Sequence, residues 1–242
     1  LAPAAVVERA GAVAGLVATP SGRRALRWRP RSIAAWRLVQ GVLDHDVRPG
    51  TVLDVGANAG QFARASVELL GCPVHSFEPL PAAADAFEAN LSDRPDVQLH
   101  RTALGATDGS ITFYPHEYTL ASSALPRQDG AAEAWTGEGA PIEVPVARLD
   151  EVVDVDALAG PVLLKLDVQG YEAEVLAGAP RTLAGCGALV VELALEGVYE
   201  GQPLAADLLA QLADVGWRLH GVLDVRRSDG RVVELDALLL PA

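Results

Sequence analysis

The 242-residue sequence predicts an α/β fold, a mostly parallel sheet with helices on both faces and an antiparallel hairpin at its end. Three observations carry this. From Thr51 onward, short apolar runs alternate with helix-length amphipathic segments. The first run, Thr51–Val55, passes into Gly56-Ala-Asn-Ala-Gly60, the pattern of a strand, a tight turn and a helix N-terminus. The last two runs, 217–223 and 232–240, flank an Asp229-Gly230 turn, which reads as a hairpin.

Taken in order, residues 1–49 read as an N-terminal helical extension and 50–242 as the main domain. Ser32 can cap a helix whose apolar positions Ile33, Trp36, Val39, Val42 and Leu43 keep near-helical spacing, and Arg48-Pro-Gly50 closes it. The first strand, 51–55, leads to a helix over about 60–70. A second strand, 73–77, ends on Glu78 and is followed by an Ala-rich helix from Pro81. A third strand covers roughly 97–103. An insertion, 105–160, then carries two strand-like pieces, Ile111–Tyr114 and Ile142–Ala147, around a polar, Gly-rich loop. Loops this long in a compact domain usually serve as lids or binding loops, and a gating role over 116–140 is expected. Val162–Asp167 forms the fourth strand, with a helix near 171–177. Ala188–Leu193 forms the fifth, with a helix from about 203, and the hairpin completes a seven-stranded sheet.

Composition narrows the function. A formal charge of −13 argues against a general polyanion binder, so nucleic acid is not the expected partner. The arginines at 23, 24, 27, 29 and 31, interleaved with Trp28, then read as a solvated helix face salt-bridged to the acidic domain. Cys72 and Cys186 are too few for a disulfide framework and lack zinc-ligand spacing, so a reducing, cytoplasmic setting is expected. The Ala/Val-rich start resembles a poor signal peptide, spoiled by Glu8 and by the Pro3 and Pro20 breaks, and a packed helix is the expected reading. No apolar run is long enough to span a bilayer. The chain holds no methionine, not even at position 1, which points to a processed or trimmed start.

In open parallel sheets, ligands bind outside the carboxyl ends of the strands, which makes Asp54, Glu78, Ala103, Asp167 and Glu192 the candidates. Asp54 stands two positions before the first glycine of the turn. A carboxylate there would repel a pyrophosphate and attract a cationic, amino-acid-bearing ligand such as S-adenosyl-L-methionine. Glu78 can accept hydrogen bonds from both ribose hydroxyls of an adenosine, although a Glu at a helix start is also favoured by the helix dipole. Asp167, within Lys165-Leu-Asp-Val-Gln-Gly170, could bind the methionine amino group, orient a substrate hydroxyl, act as base, or only cap a helix. Glu192 is unusual in a buried strand unless paired, and either faces the site or pairs with Lys165. The insertion offers His116 as a further proton acceptor, and Tyr118, Ser122 and Ser123 as groups to orient a hydroxylated substrate. Trp135 could stack on a sugar ring.

The ordered set VLDVGANAGQFA, SFEP, TALG, SSAL, KLDVQGYEAEVLAGA and VVEL, over about 51–200, resembles the FkbM family of S-adenosylmethionine-dependent O-methyltransferases. The resemblance implies a class I methyltransferase (Rossmann-like) sheet, which suits the closing hairpin. It also implies a cofactor held by Asp54, Gly56, Asn58, Gly60, Gln61 and Glu78, and an acceptor hydroxyl on a polyketide, a sugar or a glycan. One departure stands out: the family commonly reads D-V-E-G where this chain has Asp167-Val-Gln169-Gly170, one carboxylate fewer on the rim. With the remaining acids a poor cage for Mg²⁺, no metal site is assigned. A homodimer is admissible.

A different class of reading is a catalytically silent module that binds the nucleoside and regulates a partner, for which Gln169 is the hint. Methylation of a nucleobase amine is disfavoured, because 166–170 lacks the Asn/Asp-Pro-Pro-aromatic element. A nicotinamide-dependent oxidoreductase is disfavoured by Asp54 and the terminal hairpin.

Overall fold

The computed structural model describes residues 17–128, 137 and 139–242. The expectations for residues 1–16 and for Trp135 lie outside these residues.

The sheet has seven strands in the order β3-β2-β1-β7-β8-β10-β9. They are β1 (Thr51–Val55), β2 (Val74–Phe77), β3 (Val97–His100), β7 (Val162–Leu166), β8 (Cys186–Ala194), β9 (Trp217–Ser228) and β10 (Arg231–Pro241). All neighbours pair in parallel except β10, which runs antiparallel to both β8 and β9. The hairpin is therefore real and longer than its apolar runs, because its outer ends alternate charged and apolar residues that still pair.

Alternation along the central strands sends side chains into two cores. Leu53, Val55, Leu164, Leu166, Leu189, Val191 and Leu239 enter one. It is covered by α5 (Leu149–Val152), α6 (Glu172–Ala177), α7 (Pro180–Gly185) and α8 (Ala205–Asp214). Val52, Leu163, Val190 and Leu238 enter the other. It lies under α1 (Pro20–Ala25), α2 (Ile33–Asp44), α3 (Gln61–Leu69) and α4 (Pro81–Leu91). Ser32 caps α2, its Oγ accepting from Ala35 N at 3.1 Å. Buried Arg64 on α3 ties this layer together, donating to Arg29 O at 2.7 Å, to Asn90 O at 2.8 Å and to Asp93. Arg23, Arg24, Arg27, Arg29 and Arg31 are exposed while Trp28 is buried. The ion pair that this layer sends to the hairpin comes instead from Arg37, to Asp224 at 3.1 Å.

The expected strand 97–103 is broken. The chain leaves the main sheet after His100, and β4 (Ala103–Leu104) joins β6 (Ile142–Ala147) and β5 (Gly109–Phe113) in a second, three-stranded sheet. The insertion's strands supply better partners there than an edge position beyond β3. Among the described residues no helix is long and apolar enough to cross a membrane.

Candidate active site

The turn after β1 is built against two other strand ends. Gly56 N and Ala57 N both donate to Phe77 O at 3.1 Å, and Asp167 N donates to Val55 O at 3.2 Å. Gly56 has φ +79°, and a Cβ there would lie 1.8 Å from Asp167 O, so only glycine permits this approach. Asn58 takes φ +47°, its Oδ1 accepting from Ala59 N at 2.7 Å and from Thr119 Oγ1 at 3.2 Å. Glu78 closes the turn from β2: one carboxylate oxygen accepts from Asn58 N and the other from Leu80 N, each at 2.9 Å. Burial raises the Glu78 carboxyl above its ordinary range, opposed by these two N–H groups.

Asp54 faces the opposite way from a ligand contact. In the β1–β7 register it lies beside Lys165, on the α3 face of the sheet, and both side chains are buried. Lys165 Nζ is 3.2 Å from Asp54 Oδ1 and 3.5 Å from Asp167 Oδ2, and donates to the carbonyls of Val55 (3.2 Å) and Gly56 (3.0 Å). Burial alone would lower the lysine, but Asp54 and Asp167 outweigh it and hold the ammonium above the usual lysine range. Burial pushes the Asp54 carboxyl upward, with Lys165 opposing. The role expected for Asp54 is thus corrected: its charge is spent on Lys165, which fixes the backbone of the turn.

Two cavities meet at the end of β7. The first, of about 590 Å³, runs over the glycine turn between Gly56, Asn58, Glu78, Ala103, Phe113 and Asp167, with Phe77, Ser122 and Tyr171 among its other walls. The second, of about 810 Å³, lies on the far side of Asp167 and Gln169, and includes Tyr118, Glu192, Tyr199, Arg226 and Glu234. Asp167 and Gln169 line both.

Gln169 is not a gap in the rim. Held at φ +55°, it donates from Nε2 to Asp167 Oδ1 at 3.0 Å and to Glu192 Oε2 at 2.8 Å, bridging the two carboxylates. Its Oε1 accepts from Tyr199 OH at 3.2 Å, and its carbonyl accepts from Ser123 Oγ at 2.7 Å. Burial, then Asp167, raises the Glu192 carboxyl well above its ordinary range. The same causes push Asp236, its partner across β10, up to about 8. Glu192 therefore faces the cleft, while Lys165 belongs to Asp54. Sequence reasoning missed Tyr199, Arg226, Glu234 and Asp236. The available signal was Glu234-Leu-Asp236, two acids one residue apart in an apolar strand, which period-2 geometry puts on one face.

Further expected contacts are corrected. Ser123 is fully buried, donating to Gln169 O and accepting from Leu125 N, so it braces the loop instead of meeting substrate. His116 is buried, lines neither cavity, and its Nδ1 accepts from Tyr118 N at 3.0 Å. Its lone pair is occupied and the remaining ring nitrogen is buried without a partner, so His116 is not placed to receive a substrate proton. Gly60 and Gln61 do not line the cavities. Gly60, at φ +87°, packs on Phe87 and Leu91, and Gln61 opens α3. The described part of the expected lid, 116–128, crosses the strand ends through Thr119, Ser123 and the Arg127–Tyr199 bridge.

The Methyltransferase FkbM domain family matches residues 54–219. The chain is 32% identical to the 2-O-methyltransferase NoeI of Sinorhizobium fredii, over 71% of this chain and 75% of that one. It is 35% identical to the 31-O-demethyl-FK506 methyltransferase FkbM of Streptomyces tacrolimicus, over 55% and 61%. It is 27% identical to the hexuronic acid methyltransferase AglP of Haloferax volcanii, over 69% and 65%. The chain thus spans less than two thirds of the length of the last two. Among solved structures, Sp1610 of Streptococcus pneumoniae in complex with S-adenosyl-L-methionine superposes with a TM-score of 0.51 at 12% identity, over 85% of this chain and 72% of that one.

Proposed function

Because this chain belongs to the FkbM methyltransferase family, we propose that the cavity over the Gly56–Gly60 turn holds S-adenosyl-L-methionine and the adjoining cleft holds a hydroxylated small molecule, sugar or glycan. The reaction is O-methylation. The observation that carries the site assignment is the shared wall: Leu120, Asp167 and Gln169 line both cavities, so a methyl donor and an acceptor would face one another there.

The residues fit such a cofactor. Gly56 leaves bare backbone where any side chain would collide, and Glu78 presents a buried carboxylate at the end of β2 beside the turn. Gly56, Asn58 and Glu78 would hold the nucleoside, with Ala103, Phe113 and Leu80 as its apolar surroundings. Bound there, S-adenosyl-L-methionine supplies a methyl group already activated for transfer.

The chain's own groups do the rest. The cleft orients the acceptor oxygen toward Asp167. An ordinary hydroxyl does not ionise near neutral pH, so its proton leaves as the C–O bond forms. Asp167 and Glu192, both on the shared rim, are the carboxylates positioned to receive it. Gln169 keeps them apart and oriented through its two amide hydrogens. Two buried free cysteines, Cys72 and Cys186, accord with a reducing cytoplasm.

The test is calorimetric titration with S-adenosyl-L-methionine and its demethylated product, against a nicotinamide dinucleotide as control. Glu78→Ala is expected to weaken cofactor binding by roughly 1.5–3 kcal/mol, the range for hydrogen bonds to a charged group. Unchanged affinity in that variant removes Glu78 from the site, and preference for the dinucleotide overturns the assignment.

A further inference from the structure

Among the described residues, the acceptor cleft offers an incoming anion no cation that is not already engaged. Asp167, Glu192 and Glu234 face it, and Asp236 stands opposite Glu192 in the β8–β10 register. Its arginine is already engaged: Arg226 Nε and Nη2 donate to the two Glu234 oxygens at 2.9 and 2.6 Å. Lys165 is buried below Asp167, 3.5 Å from its Oδ2, and is engaged by Asp54 and by the carbonyls of Val55 and Gly56. Arg127 bridges Tyr199 through its backbone but does not line the cleft. Gln169 commits its amide nitrogen to Asp167 and Glu192. The rest of the wall formed by the described residues is neutral, with Tyr118, Tyr199 and Gln202 as its polar members.

Such a wall discriminates by charge. An incoming carboxylate or phosphate would either sit beside Asp167 and Glu192, or take Arg226 and leave Glu234 unpaired in a half-buried site. A neutral polyol meets the reverse situation, because carboxylates accept its O–H hydrogens in strong, charge-assisted bonds.

We propose that this cleft selects an uncharged polyhydroxyl acceptor and excludes one carrying a carboxylate or phosphate beside the methylated hydroxyl. The inference rests on the acceptor site assigned above. It separates this chain from its relative named for a hexuronic acid, despite their common family.

The experiment uses the full chain, methyl-labelled S-adenosyl-L-methionine and matched acceptor pairs: methyl glucoside with methyl glucuronide, methyl galactoside with methyl galacturonide, and neutral oligosaccharides with their oxidised forms. Labelled products are separated by anion exchange. Label is expected in neutral products, with at least a tenfold preference in kcat/KM over each acidic partner. Glu234→Gln, which releases Arg226, is expected to narrow that preference about tenfold. Equal or greater labelling of the acidic partners overturns the proposal and leaves O-methylation standing. No labelled product from any pair, with cofactor binding intact by calorimetry, overturns the assigned cleft and the proposal together.

Discussion

Replacing Lys165 by methionine removes one charge from the centre of the sheet and nearly preserves volume. In the native protein Asp54 is fully buried, with the ammonium at 3.2 Å and the Ser76 hydroxyl at 3.5 Å. In Lys165→Met the Asp54 carboxylate keeps only that hydroxyl among the partners named, and the carbonyls of Val55 and Gly56 lose a donor. Removing one partner of a buried ion pair costs about 3–5 kcal/mol, because the other charge stays buried without compensation. At about 2–4 °C per kcal/mol for a domain of this size, the melting temperature should fall by roughly 6–20 °C. The loss should depend on pH. Without Lys165 the folded pKa of Asp54 rises further above its unfolded value, so protonation relieves the penalty. For a carboxyl raised on folding, stability is present below the unfolded pKa and lost as pH rises through the folded one. The deficit of the variant should therefore be largest near about pH 8 and shrink toward about pH 5. Urea unfolding of wild type, Lys165→Met, Asp54→Leu and the double variant at both pH values measures the coupling. A loss below about 1 kcal/mol that does not change with pH, with additive single effects, refutes the buried-pair reasoning.

Asp167→Asn keeps shape and removes charge, and should cut turnover by about 10²–10⁴-fold while changing cofactor affinity far less. Lost cofactor binding would instead place Asp167 in the methionine pocket. Between about pH 4 and pH 8 wild-type stability should fall as pH rises, since Asp236, at about 8, and Glu172, at about 7, both have raised folded values. Asp236→Asn should flatten that slope in urea titrations, and a parallel slope would show that Asp236 does not titrate as inferred. Activity should survive EDTA, because the Gln169 amide nitrogen occupies the position between Asp167 and Glu192 that a bridging cation would need. Complete loss restored by Mg²⁺ would overturn this.

The sheet, its two helical layers and its hairpin were legible because each rests on local periodicity and turn chemistry. That Gly56, Glu78 and Asp167 border the cavity over the turn was legible for a related reason: in a parallel sheet, clefts open at the carboxyl ends of the strands. The roles of individual polar groups were not. Asp54 and Lys165 lie far apart in the chain, and only the β1–β7 register, with one side-chain period, turns them toward each other and away from the cavity. Ser122 and Ser123 are neighbours whose directions differ in an irregular loop, so one reaches the cavity and the other a backbone carbonyl. Gln169 read as a missing acid, and its bridging role exists only because the fold brings Glu192 within 2.8 Å. The cleft beyond Asp167 takes Glu234, and Asp236 behind Glu192, from a strand that returns antiparallel from the far end of the chain. The sequence by itself determined which strands end in acids. Which of those charges neutralise one another and which face a ligand was decided by strand register and tertiary packing, because electrostatic partnership depends on distance in space.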